Sequence, residues 1–269
     1  MDKKYPILMI IPHGGYEVPE ELAEGAALDD LQIFIEADTC ANEIFDMRNV
    51  VSATIDLHIS RFFVDPDRSY LNIPPKDADG VVKTISLQGN HVFKKGYRPD
   101  EIAISAILKR YYFPFFSTVD KILETGNIAL IIVAHTVMPI GPKKSADYDK
   151  PRPIASVENT ADINGKTIKT CSDEMAAAFL KAIASEFSKD GANIKDPFVL
   201  KEVPTKGHIM GKYSKSGVPI LKLNLSKALF LDDKYFDPDH LAVDKKRLAN
   251  INLKLEKAIA RFSRAILTS

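Results

Sequence analysis

The sequence predicts an α/β protein of three layers, a mostly parallel or mixed sheet with helices on both faces. Three observations predict it. Two wholly apolar runs, Ile7-Leu8-Met9-Ile10-Ile11 and Ile128-Ala129-Leu130-Ile131-Ile132-Val133-Ala134, have the length and the Ile/Val content of strands buried on both faces. Strand-like and helix-like stretches alternate along the chain. With 269 residues, 45% of them hydrophobic, the chain has the size and core composition of one domain spanning 1–269.

Taken in order, the first apolar run is the first strand, and a loop follows it. A helix is expected over residues 38–47, with Asp38 at its start and Ile44 and Met47 on its apolar face. Residues 50–57 read as a second strand and Arg61–Asp65 as a short third one. Asp65-Pro66-Asp67-Arg68-Ser69 has the composition of a turn. The stretch 70–97, rich in Pro, Gly, Asp and Lys, reads as a surface excursion covering the site, with a strand at Val81–Leu87. A long helix is expected from Pro99 to Thr125, with Pro114 as a kink. The strand ending at His135 comes next, then a polar loop over 141–153 and an amphipathic helix over 171–188. Residues 218–224 read as a late strand, and a helix from Pro238 to Ile266 closes the chain.

Lys plus Arg and Asp plus Glu both number 36, so the formal charge is zero and no basic face for nucleic acid is expected. No run approaches the ~18 apolar residues of a membrane span. Lys3 and Lys4 precede an apolar stretch, but Pro12 breaks it and no small-residue cleavage pattern follows, so it reads as a core strand and not a leader. Cys40 and Cys171 form no CxxC pair and read as free thiols in a reducing compartment. The expectation is a soluble, cytoplasmic protein.

Each apolar run leads to a histidine, His13 after Pro12 and His135 directly. In open α/β sheets the ligand site lies beyond the carboxyl ends of the strands, so both imidazoles are expected at one edge. Imidazole is the commonest metal ligand and titrates near neutrality. A hydrolytic zinc takes three ligands of His or carboxylate type and leaves a position for water. Asp38 is the nearest carboxylate candidate, with an N-cap as its plain alternative and Glu17 as its rival. Gly14 and Gly15 let the backbone approach a ligand. His58 follows an apolar run and could also reach the edge, whereas His91 and His240 sit in polar surroundings. Arg61 and Arg68 suit bidentate binding of a small-molecule carboxylate, or else an ion-pair network with Asp65 and Asp67.

His13 with Pro12 and Gly15, Asp38 at a helix start, and Ser60-Arg61-Phe62-Phe63-Val64-Asp65-Pro66-Asp67-Arg68 resemble the N-formylglutamate amidohydrolase family. That family has a Pro-His-Ser-Gly loop, an Asp opening a helix, and a Ser-Arg-Tyr-Val-Ile-Asp-Leu-Asn-Arg segment. His135, Lys206-Gly207-His208-Ile209, Leu223-Asn224-Leu225 and Phe230-Leu231-Asp232 continue the resemblance in order, so that it runs from about residue 10 to 233. The resemblance implies a phosphorylase/hydrolase-like fold related to zinc carboxypeptidases. It implies zinc or another divalent metal on His13, Asp38 and His135, with Arg68, alongside Arg61, on the carboxylate of an N-acyl amino acid such as N-formylglutamate. Asn224 stands where the family has a Glu, and an amide accepts and donates hydrogen bonds but takes no proton. Glu17 or Asp56 would then serve as base, or the substrate differs, or activity is weak. Lys227 falls near a family arginine and keeps its charge. The alternatives are a pocket protein of this fold that binds a small carboxylate without turnover, and a metallopeptidase or cell-wall amidase.

Overall fold

In the computed structural model, residues 4–192, 194–202, 204 and 207–267 are described. In chain order the elements are β1 (Tyr5–Ile11), α1 (Glu20–Ala23), α2 (Asp30–Glu36), α3 (Ala41–Ile44), β2 (Val51–Asp56), α4 (Glu101–Ile107), α5 (Phe113–Glu124), β3 (Leu130–Val137), β4 (Ala155–Glu158), β5 (Thr160–Ile163), β6 (Lys166–Lys169), α6 (Asp173–Phe187), β7 (Phe198–Lys201), α7 (His208–Tyr213), β8 (Ile220–Ser226), β9 (Phe236–Asp237), β10 (Ala242–Val243) and α8 (Lys245–Ile266). Six strands form the main sheet in the order β2-β1-β3-β8-β4-β7. Every pairing is parallel except β4 with β8, which is antiparallel. The expected α/β class with a mostly parallel sheet is what the chain adopts.

Alternation of side chains assigns the two faces. Ile7, Met9, Ile11, Leu130, Ile132, Leu221 and Leu223 pack with α3, α6 and α8. Leu8, Ile10, Ile131, Val133 and Ile220 pack with α4, α5 and α7. The central strands are therefore apolar on both sides, which is why their sequences read as continuous apolar runs. Helix starts follow short polar side chains: Asp100 accepts from the Ala103 amide, Ser172 from Met175 and Asp244 from Arg247.

The structure departs from the sequence expectations in several elements. The expected strand at Arg61–Asp65 is a turn, because the Phe63 and Val64 amides both donate to the Ser60 carbonyl. Val81–Leu87 forms isolated bridges, and Val81, Val82 and Lys83 are buried, not spread over the surface. The helix expected at 38 begins at Ala41, after Cys40 in the left-handed conformation with φ 54°. The last helix begins at Lys245, since Asp244 caps it and residues 236–243 form the β9–β10 hairpin. β3 runs through His135 to Val137. Between α4 and α5, residues Leu108–Tyr112 form a π turn directly ahead of Pro114. That wider turn sits where the proline ring would crowd the carbonyl four residues back. No described helix is long and apolar enough to cross a membrane, and both cysteines are free thiols.

Candidate metal centre

β1 and β3 are parallel neighbours, so the residues beyond Ile11 and those near the end of β3 come to one edge of the sheet. His13 lies in the loop after β1, and its carbonyl accepts from the Asp38 amide. This bond brings the segment ahead of α3 against the loop and sets the Asp38 carboxylate between two imidazoles. His135 Nδ1 lies 2.8 Å from Asp38 Oδ2, and His13 Nδ1 lies 3.6 Å from the same oxygen. One ligand atom from each of His13, Asp38 and His135 lies within 4.8 Å of the others, and all three residues are buried. The N-cap alternative for Asp38 fails, since Cys40 holds that position and makes no side-chain cap.

The tautomers follow from the partners. His13 Nε2 donates to Asp65 Oδ1 at 2.8 Å, which leaves its Nδ1 with a lone pair and no hydrogen-bond partner. His135 Nδ1 donates to Asp38, which leaves Nε2 buried without a partner. A buried polar atom left unpaired costs about 1–3 kcal/mol, and here two such atoms belong to the rings that meet one carboxylate. Two imidazole nitrogens and a carboxylate are the donor set of a hydrolytic zinc, so the residues present fit the metal. Asp65 is the outer partner that orients the His13 ring.

Charge reinforces the arrangement. Burial pushes the Asp38 carboxyl up, but His13 and His135 outweigh it and hold it far below the usual carboxylate range. Burial likewise opposes ionisation of Asp65, yet Lys83, His13 and Arg61 keep it well below its ordinary value. Burial disfavours a charged His135, and its pKa is lowered. Burial and Arg61 also oppose protonation of His13, but Asp65 and Asp38 prevail and its pKa is raised.

The other predicted residues fall as follows. Arg61 donates to Asp38 Oδ1 at 3.3 Å and to Asp65 Oδ2 at 3.4 Å, which places it beside both histidine partners. Arg68 donates from Nε and Nη2 to Asp79 Oδ2, and from Nη1 to the Asp67 carbonyl. Its ion-pair partner is thus Asp79, eleven residues away in a loop and half-exposed, and neither of the neighbouring aspartates. Asn224 faces the same side of the sheet as His135, its register partner on β3. Glu17 is exposed and Asp56 pairs with Arg48, so neither joins the cluster. His58, His91 and His240 are exposed. Lys227 is buried with Nζ donating to the Ile35 and Ala37 carbonyls, and it closes the end of α2. Burial lowers its pKa to about 8. Gly14 and Gly15 admit protein, not ligand: a Cβ would meet Asn42 Oδ1 at 1.9 Å and the His58 carbonyl oxygen at 2.0 Å respectively. Of the Lys206–Ile209 segment, Lys206 lies outside the described residues.

Sequence reading missed Lys83, Asp79, Ser156 and Glu158. Lys83 Nζ lies 2.8 Å from Asp65 Oδ2, fully buried in a stretch whose composition reads as a surface excursion. β4 carries Ala155 and Val157 toward one face, and Ser156 and Glu158 toward the site. Its four residues are too few for alternation to stand out.

A family model for N-formylglutamate amidohydrolase matches residues 5–231. An N-formylglutamate amidohydrolase from Ralstonia eutropha JMP134 has a similar solved structure. It is 15% identical, with 98% of this chain and 96% of that chain covered and a TM-score of 0.69. A gene product of Agrobacterium tumefaciens is 13% identical, with 97% and 92% covered and a TM-score of 0.62. At these identities the likeness is one of fold. No curated protein matches the chain.

Proposed function

The chain belongs to the N-formylglutamate amidohydrolase family, and on that premise we propose that it is a metal-dependent amidohydrolase of N-acyl amino acids. One observation carries the reading: two buried imidazole nitrogens without partners, on the two rings that meet the Asp38 carboxylate. His13, Asp38 and His135 would hold the metal, with zinc the best match to two imidazoles and a carboxylate. A zinc ion so held supplies Lewis-acid polarisation of the scissile carbonyl and lowers the pKa of the attacking water.

The protein's own groups do the remaining work. Asp65 fixes the His13 tautomer through Nε2, and Lys83 and Arg61 keep Asp65 ionised. Arg68 is the proposed receiver of the substrate carboxylate, together with Arg61. Asp79 presents to the Arg68 guanidinium the same carboxylate chemistry a substrate would bring, from a half-exposed position that an incoming ligand can displace.

The test is release of formate from N-formyl-L-glutamate by zinc-loaded protein, with chelator-treated protein as control. Chelator-sensitive release is expected. Asn224, which takes no proton, favours a second reading: a protein of this fold that binds an N-acyl amino acid without hydrolysing it. Stoichiometric zinc and measurable ligand binding, with no turnover across a panel of N-acyl amino acids, would establish that second reading instead.

A further inference from the structure

Beside His135 the same face of the sheet continues onto β8 and β4. In the parallel β3–β8 register His135 stands beside Asn224, and in the antiparallel β4–β8 register Asn224 stands beside Ser156 and Lys222 beside Glu158. These residues share one face of the sheet, because Leu223, Leu225, Ala155 and Val157 occupy the other. Asn224 is 7% exposed, Ser156 2% and Glu158 1%.

The Asn224 amide is held in one orientation. Nδ2 donates to Ser156 Oγ at 3.2 Å and to Glu158 Oε1 at 3.1 Å. A carboxylate offers no hydrogen, so the Glu158 contact assigns nitrogen, and not oxygen, to the branch facing β4. Lys201 Nζ lies 3.5 Å from Glu158 Oε1, and Lys222 stands across the register from Glu158. Both amide hydrogens are thereby occupied. With Nδ2 bonded to β4, Oδ1 is the remaining branch of the amide, on the strand whose other neighbour carries His135, and among the described residues it accepts no hydrogen bond. The Asn224 oxygen is thus a fixed hydrogen-bond acceptor beside His135.

We propose that Asn224 is a specificity residue that accepts the N–H of the scissile amide, and that Glu158 is the positioning residue that keeps its oxygen turned to the ligand. The inference rests on the N-acyl amino acid reading and deepens it: the site takes secondary amides, in which nitrogen carries a hydrogen, and discriminates against N-alkylated amides such as N-acyl prolines. An acceptor that meets a methyl group in place of N–H loses its partner and is desolvated, the penalty that gives polar sites their selectivity.

The experiment is calorimetric binding of N-acetyl-L-glutamate and of N-acetyl-N-methyl-L-glutamate to zinc-loaded protein. The parent is expected to prefer the secondary amide by about 10-fold or more, a ratio consistent with one unpaired acceptor. Asn224→Leu should bring the ratio to within threefold of one. Glu158→Leu should do the same by freeing the amide to turn, whereas Glu158→Gln, which can still accept from Nδ2, should keep the parental ratio. A purely structural Glu158 would leave the ratio unchanged in any variant that folds, and Asn224→Leu with Glu158→Gln decides the matter if Glu158→Leu does not fold. A parental ratio near one, or a ratio that survives Asn224→Leu, overturns this inference alone. If neither ligand binds, the proposed function fails and this inference with it.

Discussion

Two clusters of buried ionisable groups meet at Asp65 and are finished differently. In the first, His13, Asp38 and His135 converge, yet His13 Nδ1 and His135 Nε2 keep no partner. In the second, Lys83 lies against both Asp65 and Asp79, and Arg68 donates from all three of its nitrogens to Asp79 and Asp67. Such a network holds the 60–83 segment together and sets Asp65 in place, and within it Asp79 occupies Arg68. Two unpaired nitrogens in the interior are tolerated where a ligand completes them. The contrast separates groups whose partners the fold supplies from groups it leaves for a ligand to complete, although the same amino-acid types serve in both.

That contrast predicts a dissociation between metal affinity and stability. The largest effect is expected for His135→Ala, which should lower zinc affinity by far more than the about 10- to 100-fold that loss of an outer hydrogen-bond partner costs. The folding stability of the metal-free protein should change little by comparison. Calorimetric zinc titration and urea unfolding read the two quantities, and unchanged zinc affinity would break the contrast. Lys83→Met is its mirror image. It leaves Asp65 short of a cation and should destabilise the fold by about 3–5 kcal/mol in urea. Its zinc affinity should stay within tenfold of the parent.

Asp65→Asn belongs to both clusters, so it should lower zinc affinity about 10- to 100-fold and also weaken the fold. Asp79→Ala is expected to act more mildly. Removing the carboxylate that competes for Arg68 should lower KM for N-formyl-L-glutamate by about fivefold, the ceiling for an exposed ion pair. A raised KM would make Asp79 a support for the arginine and not a competitor. The smallest effect concerns pH. Zinc binds the neutral imidazole, and the His13 pKa is raised from 6.5, so protons compete with the metal over a wider range than for an ordinary histidine. Zinc affinity should therefore begin to fall above pH 6.5 as the solution is acidified, and His13→Ala should remove that portion of the pH dependence.

The sequence carried the sheet's centre and the two histidines because buried parallel strands write themselves as unbroken apolar runs. Ile7–Ile11 and Ile128–Ala134 each lead to an imidazole, and the register between β1 and β3 then leaves little freedom in where those imidazoles go. Asp38 was ambiguous in sequence because a cap and a ligand both call for a short carboxylate near a helix start. The left-handed Cys40 that separates the two roles has no sequence signal, since cysteine is not a residue that turns normally select. Arg68 was recognisable as a charge, but its partner Asp79 lies in a loop whose folding depends on isolated backbone bonds such as Val81 to Asn72. Glu158 was beyond reach for a related reason. It meets Asn224 across 66 residues of chain, through a four-residue strand that runs antiparallel to an otherwise parallel neighbourhood. Local pattern locates the histidines, and only pairing between distant strands locates the residues beside them.

The most direct measurement of the central claim is anomalous diffraction at the zinc edge from crystals of the zinc-loaded protein. One strong peak is expected in the space between His13, Asp38 and His135, with Asp65 still bonded to His13 Nε2. A peak elsewhere, or none at those three residues in protein that carries zinc in solution, would contradict the account.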